Sequence, residues 1–313
     1  MNAAAPDGIK PKRMITVGGI CNSSIYRVDT VPSLPGKVLA SEMHQVVDGM
    51  ALSAAFAFSR LGGAAQVCAR VGDDERGRSV KQSLADEGLD TSGLHSVPGT
   101  KTSQAAIIVD HRGDRLVVPF HDDKVDKSPE WLPLHDIARA DILHCDARWV
   151  EGAERALLAA KSFRVPSMID GDIAPLEVLQ RLVPLATYAV FSDAGLLLYA
   201  GENEVETALR KVGEAHAGHV GASCGADGYM WYENGRIGHV RAPQVDVVDT
   251  LAAGDVFHGA FALALLEGHS ISASARFACA AASLKCTRFG GRLGCPSRAE
   301  VDACVLDIYG RER

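Results

Sequence analysis

The stretch VDTLAAGDVFHGAF, residues 248–261, places two aspartates on either side of small residues and then continues as an apolar segment. The residues after Asp255 are apolar on nearly all sides, which predicts a buried core helix that ends near Gly268. The unpaired N–H groups and partial positive charge of a helix N-terminus attract an anion. Two interpretations of Asp255 are open at this point: a simple helix cap, or a base beside a bound phosphate.

Small residues precede Asp255 at Ala252, Ala253 and Gly254. Small side chains let the backbone approach a ligand closely, and successive N–H groups at such a turn can form an anion-binding nest. The pattern therefore predicts an anion site at 252–254, with the Asp255 carboxylate within reach of the bound group.

The composition bounds the class of protein. The chain has 313 residues, of which 47% are apolar and 23% charged, so it can bury a sizeable core in one large domain or two moderate ones. A net charge of −7 argues against nucleic acid or an anionic membrane as the main partner. Because we find neither a signal-peptide pattern nor an apolar run of about 18 residues, we expect a cytoplasmic protein without a membrane span.

Cysteine and histidine patterns give no metal or disulfide signature. The eight cysteines are scattered without a CxxC pair, and the eleven histidines form no HExxH motif. Several cysteines lie in apolar runs, which favours buried free thiols over a disulfide framework or a zinc site.

The order of elements predicts the fold class. From about residue 129 onward, short apolar strands alternate with helical stretches, which indicates βαβ units and a mostly parallel sheet with helices on both faces. Two alternating runs, 38–47 and 103–120, break this rhythm. They predict a small antiparallel β subdomain inserted into the α/β core.

The string D-T-x-(G/A)-A-G-D, followed by an apolar helix, resembles the signature of the ribokinase-like, or PfkB, carbohydrate kinases. RLGGAAQVCARVGDDERG (60–77) and GASCGADG (221–228) resemble two further segments of that family. The resemblance implies a ribokinase-like α/β fold: a flexible tail at 1–13, a kinase domain at 14–313, and inserted lid segments at about 21–48 and 98–122.

The same resemblance implies ATP-dependent phosphorylation of a sugar hydroxyl. Asp255 would be the general base, and the backbone N–H groups of Ala252, Ala253 and Gly254 would stabilise charge on the transferred phosphoryl group. The residues that the resemblance assigns to ATP binding are Ser223, Gly225, Gly228, Thr250 and Gly254.

The resemblance also implies cations. Mg²⁺ would arrive with ATP, and Asp249 with the Leu251 carbonyl matches family positions that hold a monovalent cation such as K⁺. The family's Asn-x-x-Glu motif, linked to Mg²⁺, falls at Ser192-Asp193-Ala194-Gly195 and is missing. How this chain handles Mg²⁺ is therefore left open by the sequence.

Within the family, IDGDIAP (169–175) and LKCTRFGGRLGCP (284–296) most resemble the 6-deoxy-6-sulfofructose kinase subgroup. Arg148 and Lys37 occupy positions where that subgroup has cations that contact the sulfonate. A guanidinium suits a tetrahedral anion because it donates hydrogen bonds in a fork.

Several acceptor positions depart from the subgroup pattern. Ser23 replaces an aspartate, Asp48-Gly49 replaces Gly-Gly, Ser53 replaces an asparagine, and Pro119 replaces a sulfonate-contacting asparagine. Ser23, Asp48, Gly49 and Ser53 are candidates for acceptor binding, whereas Pro119 has no N–H to donate. An anionic or sulfonated ketose, an ordinary ketose and another polyol all stay open as acceptors.

Other functions are also open. A nucleoside kinase of the same fold would need an aromatic sandwich for a base, and a sugar-binding sensor without catalysis would fit the changes at Ser23, Asp48 and Ser53. A dinucleotide oxidoreductase is disfavoured because no GxGxxG follows a strand.

The exposed edges of the two β pieces predict a homodimer that pairs through the lid. His258 is interpreted as a hydrogen-bonded core histidine, and Trp149 as packing or as a wall of the sugar site.

Overall fold

A computed structural model of the chain describes residues 10–310. The predicted tail therefore lies largely outside the described residues. The strands of residues 10–310 are, in chain order, β1 (Arg13–Val17), β2 (Cys21–Arg27), β3 (Glu42–Asp48), β4 (Ala64–Gly72), β5 (Leu94–Val97), β6 (Gln104–Val109), β7 (Arg115–Phe120), β8 (Ile142–Cys145), β9 (Ser167–Gly171), β10 (Tyr188–Ser192), β11 (His219–Ser223), β12 (Tyr229–Glu233) and β13 (Arg236–Val240).

The helices pack on both faces of the strands. In chain order they are α1 (Met50–Arg60), α2 (Glu75–Asp86), α3 (Leu134–Ile137), α4 (Val150–Phe163), α5 (Leu176–Leu182), α6 (Asp193–Ala200), α7 (Val205–Ala215), α8 (Ala253–Leu266), α9 (Ile271–Cys286) and α10 (Arg298–Tyr309).

The large sheet has the order β13-β12-β11-β10-β9-β8-β1-β4-β5. Its pairs from β11 across to β5 are parallel, and β12 and β13 add an antiparallel hairpin at one edge. Buried apolar residues of α1, α8 and α9 cover one face, and those of α4, α5 and α7 cover the other. This arrangement confirms the predicted α/β architecture with a mostly parallel sheet and helices on both faces.

A second sheet of four strands has the order β3-β2-β6-β7, and its strands lie within the predicted lid segments. The pairs β2–β3 and β6–β7 are antiparallel, but β2 and β6 are parallel. The predicted strand at 38–47 was wrong at its start, since β3 begins only at Glu42 and residues 38–41 lie in a loop. The alternation there continued into a loop without pairing partners.

Within residues 10–310, no helix combines the length and the apolar character that crossing a bilayer requires. The eight cysteines have no disulfide partner, and four of them are buried. The apolar runs around the cysteines therefore correctly indicated buried thiols.

Candidate active site

A cavity of about 960 Å³ opens between the carboxyl ends of the parallel strands and the lid sheet. Open α/β sheets bind ligands at this edge. Side chains alternate across a sheet, and one face of the lid contributes Ser23, Ala105, Ile107, Val117 and Pro119 to the cavity. The lid therefore forms the roof of the site.

The predicted anion-binding turn forms the entry to α8. Ala252 has a left-handed backbone with φ of 63°, and Ala252, Ala253 and Gly254 line the cavity. The Ala253 N–H donates to the Thr250 carbonyl at 3.2 Å, so it is engaged within the turn and does not point freely to a ligand. This corrects the prediction for Ala253, while the positive end of α8 still faces the cavity.

Asp255 lies in the first turn of α8 and is partly exposed to the cavity. Burial raises the pKa of its carboxyl well above the ordinary range, and the charges of Asp170, Asp48, Asp146 and Asp172 raise it further. A carboxylate with a raised pKa is a better proton acceptor near neutral pH than an ordinary aspartate. The site therefore places a carboxylate with a raised pKa directly beside the predicted anion-binding turn.

Asp146 organises the neighbouring part of the cavity. Its buried carboxylate accepts N–H groups of Gly19 at 3.2 Å, Ala51 at 3.1 Å and Arg148 at 2.8 Å. Burial raises the pKa of Asp146 to about 6, although these hydrogen bonds lower it. A Cβ at Gly18 would lie 2.1 Å from Asp146 Oδ2, so only glycine fits there. The carboxylate thus ties the loop after β1 to the starts of α1 and α4.

Asp48 lies at the end of β3, where its Oδ1 accepts the Gly49 N–H at 2.9 Å and the Ser53 hydroxyl at 3.0 Å. Gly49 has φ of 147°, and a Cβ there would lie 2.3 Å from the Gly19 carbonyl oxygen. Asp48, Gly49 and Ser23 line the cavity as predicted. Ser53 does not, because it is buried behind Asp48 and orients that carboxylate.

The two predicted acceptor cations have different positions. Arg148 follows β8 and lines the cavity, with its guanidinium 3.5 Å from the Asp172 carboxylate and 3.4 Å from the Ile173 carbonyl. Lys37 is exposed in the loop between β2 and β3 and is not a lining residue. That loop has no regular structure to hold Lys37 against the cavity, so its predicted contact with the acceptor is not supported.

The predicted nucleotide segment reaches the cavity only in part. Ser223, at the end of β11, and Thr250 line it, whereas Gly225 and Gly228 lie in the following turn and do not. Gly228 has φ of 91°, and a Cβ there would lie 2.0 Å from the Val240 carbonyl oxygen. Close packing of the turn against β13 therefore accounts for this glycine without a nucleotide.

The predicted monovalent-cation site already holds a positive charge. Leu251 lines the cavity, but the buried carboxylate of Asp249 accepts the N–H groups of Leu251 at 2.8 Å, Gly290 at 3.1 Å and Gly291 at 2.9 Å. The buried Lys285 ammonium lies 3.2 Å from Asp249 Oδ2 and donates to the Asp249 carbonyl at 2.6 Å. Asp249 does not fit K⁺, because the Lys285 ammonium, which carries the same charge, already contacts two of its oxygens.

Comparison with known proteins decides the family. Residues 12–298 match the model of the pfkB family carbohydrate kinases. The chain belongs to the pfkB family of carbohydrate kinases. A solved structure of a candidate ribokinase from Agrobacterium tumefaciens is 38% identical, with a TM-score of 0.93 over 97% of this chain and 99% of that one.

Curated relatives of this pfkB kinase carry two kinds of name. The ribokinase of Bacillus subtilis is 28% identical over 93% of this chain and 98% of its own length. Fructokinase-1 of Zea mays is 25% identical over 88% of this chain and 93% of its own length. Membership in the family establishes an ATP-dependent phosphotransferase that acts on a carbohydrate.

A carboxylate contacts the position of the missing Asn-x-x-Glu motif in the kinase. Ser192 Oγ accepts the Gly195 N–H at 3.0 Å and donates to Asp172 Oδ1 at 2.9 Å, so it both caps α6 and orients Asp172. Asp170 and Asp172 line the cavity at the end of β9. Carboxylate oxygens are the protein ligands that Mg²⁺ prefers, so this donor set fits an ion carried by ATP phosphates.

Sequence reasoning missed four cations that line the cavity of the kinase: Arg70, Lys101, Arg115 and Lys127. The Arg70 guanidinium lies 4.5 Å from the ring centroid of Trp149 and donates to the Asp126 carbonyl at 2.9 Å. The other three cations have no ion-pair partner among residues 10–310. The position of Arg70 near the end of a parallel strand was a usable signal, whereas the other three depend on how the lid folds over the sheet.

Trp149 packs in the core and also lines the cavity. It is nearly fully buried, its ring stacks on Trp131 with centroids 5.1 Å apart, and its indole N–H donates to the Lys127 carbonyl at 3.0 Å. The packing interpretation is confirmed, and Trp149 also lines the cavity beside Arg70 and Lys127, while its role as a wall of a sugar site stays a prediction.

A buried cluster of His144, Asp170 and His258 lies at the floor of the cavity, which Asp170 and His258 line, with one ligand-type atom of each within 4.8 Å of the others. Both ring nitrogens of His258 face backbone carbonyls, those of Gly254 at 2.9 Å and Val190 at 3.2 Å. A metal ligand needs an open nitrogen lone pair, so His258 is not arranged to bind a metal. Its hydrogen bonds match the interpretation as a core histidine.

Proposed function

We propose that this kinase transfers the γ-phosphoryl group of ATP, with Mg²⁺, to a hydroxyl of an anionic sugar, a sulfonated ketose being the foremost candidate. The proposal rests on the cationic side chains that line the acceptor side of the cavity. Lys101, Arg115 and Lys127 lack an ion-pair partner within residues 10–310, and Arg70 and Arg148 lie beside them in the lining.

Sheet topology separates these cations from the nucleotide end. Ser192 and Ser223 end β10 and β11, whereas Arg70 lies near the end of β4 and Arg148 follows β8. β4 and β11 are five strand intervals apart in the sheet order, or roughly 24 Å at the usual strand spacing. ATP phosphates at the nucleotide end do not reach these cations. Lys101, Arg115 and Lys127 are exposed to solvent, with Asp122 near Lys101, so their side chains are available to an anionic group of the acceptor.

The chain's own residues account for the chemistry in this proposal. Asp255 takes the proton of the attacking hydroxyl, and the positive N-terminus of α8 stabilises charge on the transferring group. Bound Mg²⁺ neutralises phosphate charge, and Asp170 and Asp172 would hold it. Asp48, oriented by Ser53, is placed to accept a hydrogen bond from a sugar hydroxyl.

An uncharged ketose or pentose is the second candidate, because the relatives are named for fructose and ribose. A nucleoside is less well supported: of the described lining residues, Trp149 is the one with an aromatic ring besides histidines, and Arg70 covers it. A sensor without catalysis is disfavoured by Asp255, which is placed at the anion-binding turn with a raised pKa.

We also propose that two lids pair in a homodimer. The face of the lid turned away from the cavity carries exposed apolar side chains, with exposed fractions of 38% at Tyr26, 54% at Met43, 41% at Leu116, 57% at Val118 and 45% at Phe120. A second copy would cover this apolar face and the free edges of β3 and β7. The unpaired cysteines fit a reducing compartment such as the cytoplasm.

A coupled ADP-release screen tests the proposed function. Matched pairs of acceptors should differ only in charge, for example fructose against 6-deoxy-6-sulfofructose, with inosine as the nucleoside. We expect kcat/KM for the sulfonated ketose to exceed that for fructose by more than about tenfold. Equal values for the pair would overturn the anionic acceptor, and preference for inosine would establish the nucleoside kinase.

A further inference from the structure

We infer that the buried ammonium of Lys285 is a built-in replacement for a monovalent cation, so that phosphoryl transfer by this kinase does not depend on K⁺. The inference rests on the proposed function, because it concerns the turn that faces the transferred phosphoryl group. In this scheme Lys285 is a positioning residue: it touches neither substrate nor reacting atoms, and it acts through Asp249.

The contacts of Lys285 converge on one residue. Its side chain is fully buried near the end of α9, and Nζ lies 2.6 Å from the Asp249 carbonyl oxygen and 3.2 Å from Asp249 Oδ2. Burial lowers the pKa of the Lys285 ammonium, and the Asp249 charge raises it again. An ammonium ion and K⁺ carry the same charge, so one such ion between these oxygens satisfies them.

Asp249 connects the Lys285 ammonium to the predicted anion-binding turn. Its Oδ1 accepts the Leu251 N–H at 2.8 Å, and Leu251 directly precedes Ala252, where the backbone turns left-handed into α8. Its Oδ2 holds the N–H groups of Gly290 and Gly291 in the loop after α9. The Lys285–Asp249 pair therefore fixes the backbone just before the turn that faces the anion and ties it to the loop after α9.

A tethered ammonium differs from a dissociable ion in its dependence on the medium. A bound K⁺ stabilises and activates a protein in proportion to its occupancy, whereas a covalently attached charge is always present. Solvent has no access to Lys285, so a dissolved cation cannot displace it without opening the packing around α9. The expected signature is a kinase whose behaviour is the same in potassium and choline salts.

The first test needs no acceptor and so stands apart from the proposed function. Thermal unfolding of the wild-type protein with ADP and Mg²⁺ is followed in KCl and in choline chloride of equal ionic strength. We expect the nucleotide-induced shift of the melting temperature to be the same in both salts. A larger shift in KCl alone would overturn the inference, whichever sugar the kinase uses.

The second test exchanges the ammonium. In Lys285→Ala we expect kcat to fall at least about tenfold with little change in the KM for ATP, and KCl or NH₄Cl to restore part of it, because the ions enter the vacated space. Lys211→Ala is the matched control, since Lys211 pairs with Glu202 at a largely exposed site. An active Lys285→Ala enzyme without salt dependence would contradict the role. If Lys285→Ala does not fold, Lys285→Met keeps the side-chain volume, and the wild-type salt comparison still decides.

Discussion

The Nδ1 atom of His258 lies 3.6 Å from a carboxylate oxygen of Asp170. His258 itself lies one helical turn beyond Asp255 in α8. The same histidine bridges the carbonyls of Gly254 and Val190, so it joins the start of α8 to the sheet beneath it. Its place close to the base does not make it part of the chemistry, because its ring nitrogens are engaged by the protein.

We expect His258→Phe to lower the free energy of unfolding by about 2–4 kcal/mol, because a buried carboxylate and two carbonyls lose their partner. The kcat should fall by less than about tenfold, since no proton transfer is lost. Urea unfolding and steady-state kinetics measure the two effects. His135→Phe, at an exposed position, is the control. A loss of kcat with unchanged stability would instead assign His258 to the reaction.

The pH dependence of kcat/KM should report the raised pKa of Asp255. The base works only when ionised, so activity falls as the pH drops through this pKa, and that fall lies above the value of about 3.9 for an ordinary aspartate. Asp170→Asn removes the neighbouring charge that raises this pKa most. It also removes a proposed Mg²⁺ ligand and so lowers the rate, but the acidic limb of the remaining activity should move to lower pH, while Asp193→Asn at an exposed position should leave it in place. If the acidic limb of the kcat/KM profile lies at the same pH in Asp170→Asn as in the wild type, a group other than Asp255 causes it.

Arg148→Ala tests the recognition of charge on the acceptor. We expect the KM for a sulfonated ketose to rise by about tenfold or more and the KM for fructose to change little, because a guanidinium–sulfonate contact is lost. Arg139→Ala, an exposed arginine outside the cavity lining, is the matched control. Equal losses for both sugars would mean that Arg148 serves the ring hydroxyls or orients Asp172.

Val118→Asp tests the pairing of lids. Val118 is 57% exposed on the outer apolar face, and a buried carboxylate there would oppose association, so light scattering should show a dimer for the wild type and a monomer for the variant. Leu306→Asp changes a residue of α10 that is 73% exposed and should stay dimeric. A wild-type monomer at working concentration would rule out the pairing.

The sequence was sufficient for the architecture because alternation of strands and helices is a local pattern. The string around Asp255 and the cation after β8, Arg148, were placed correctly, since a helix start and a strand end are visible in the chain. The contact predicted between Lys37 and the acceptor is not supported, because an exposed loop has no periodicity from which the direction of a side chain could be predicted. Arg115 and Lys285 were missed because their roles depend on contacts between segments far apart in the chain.

Whether Asp255 is the base of a sugar kinase is measured by ADP release from Asp255→Asn with saturating ATP and the preferred acceptor. The amide keeps the shape of the carboxylate but cannot take the proton. We expect kcat to fall by about a hundredfold or more while the thermal shift produced by ATP persists. A variant that keeps more than about a tenth of the wild-type kcat would show that Asp255 is not the base.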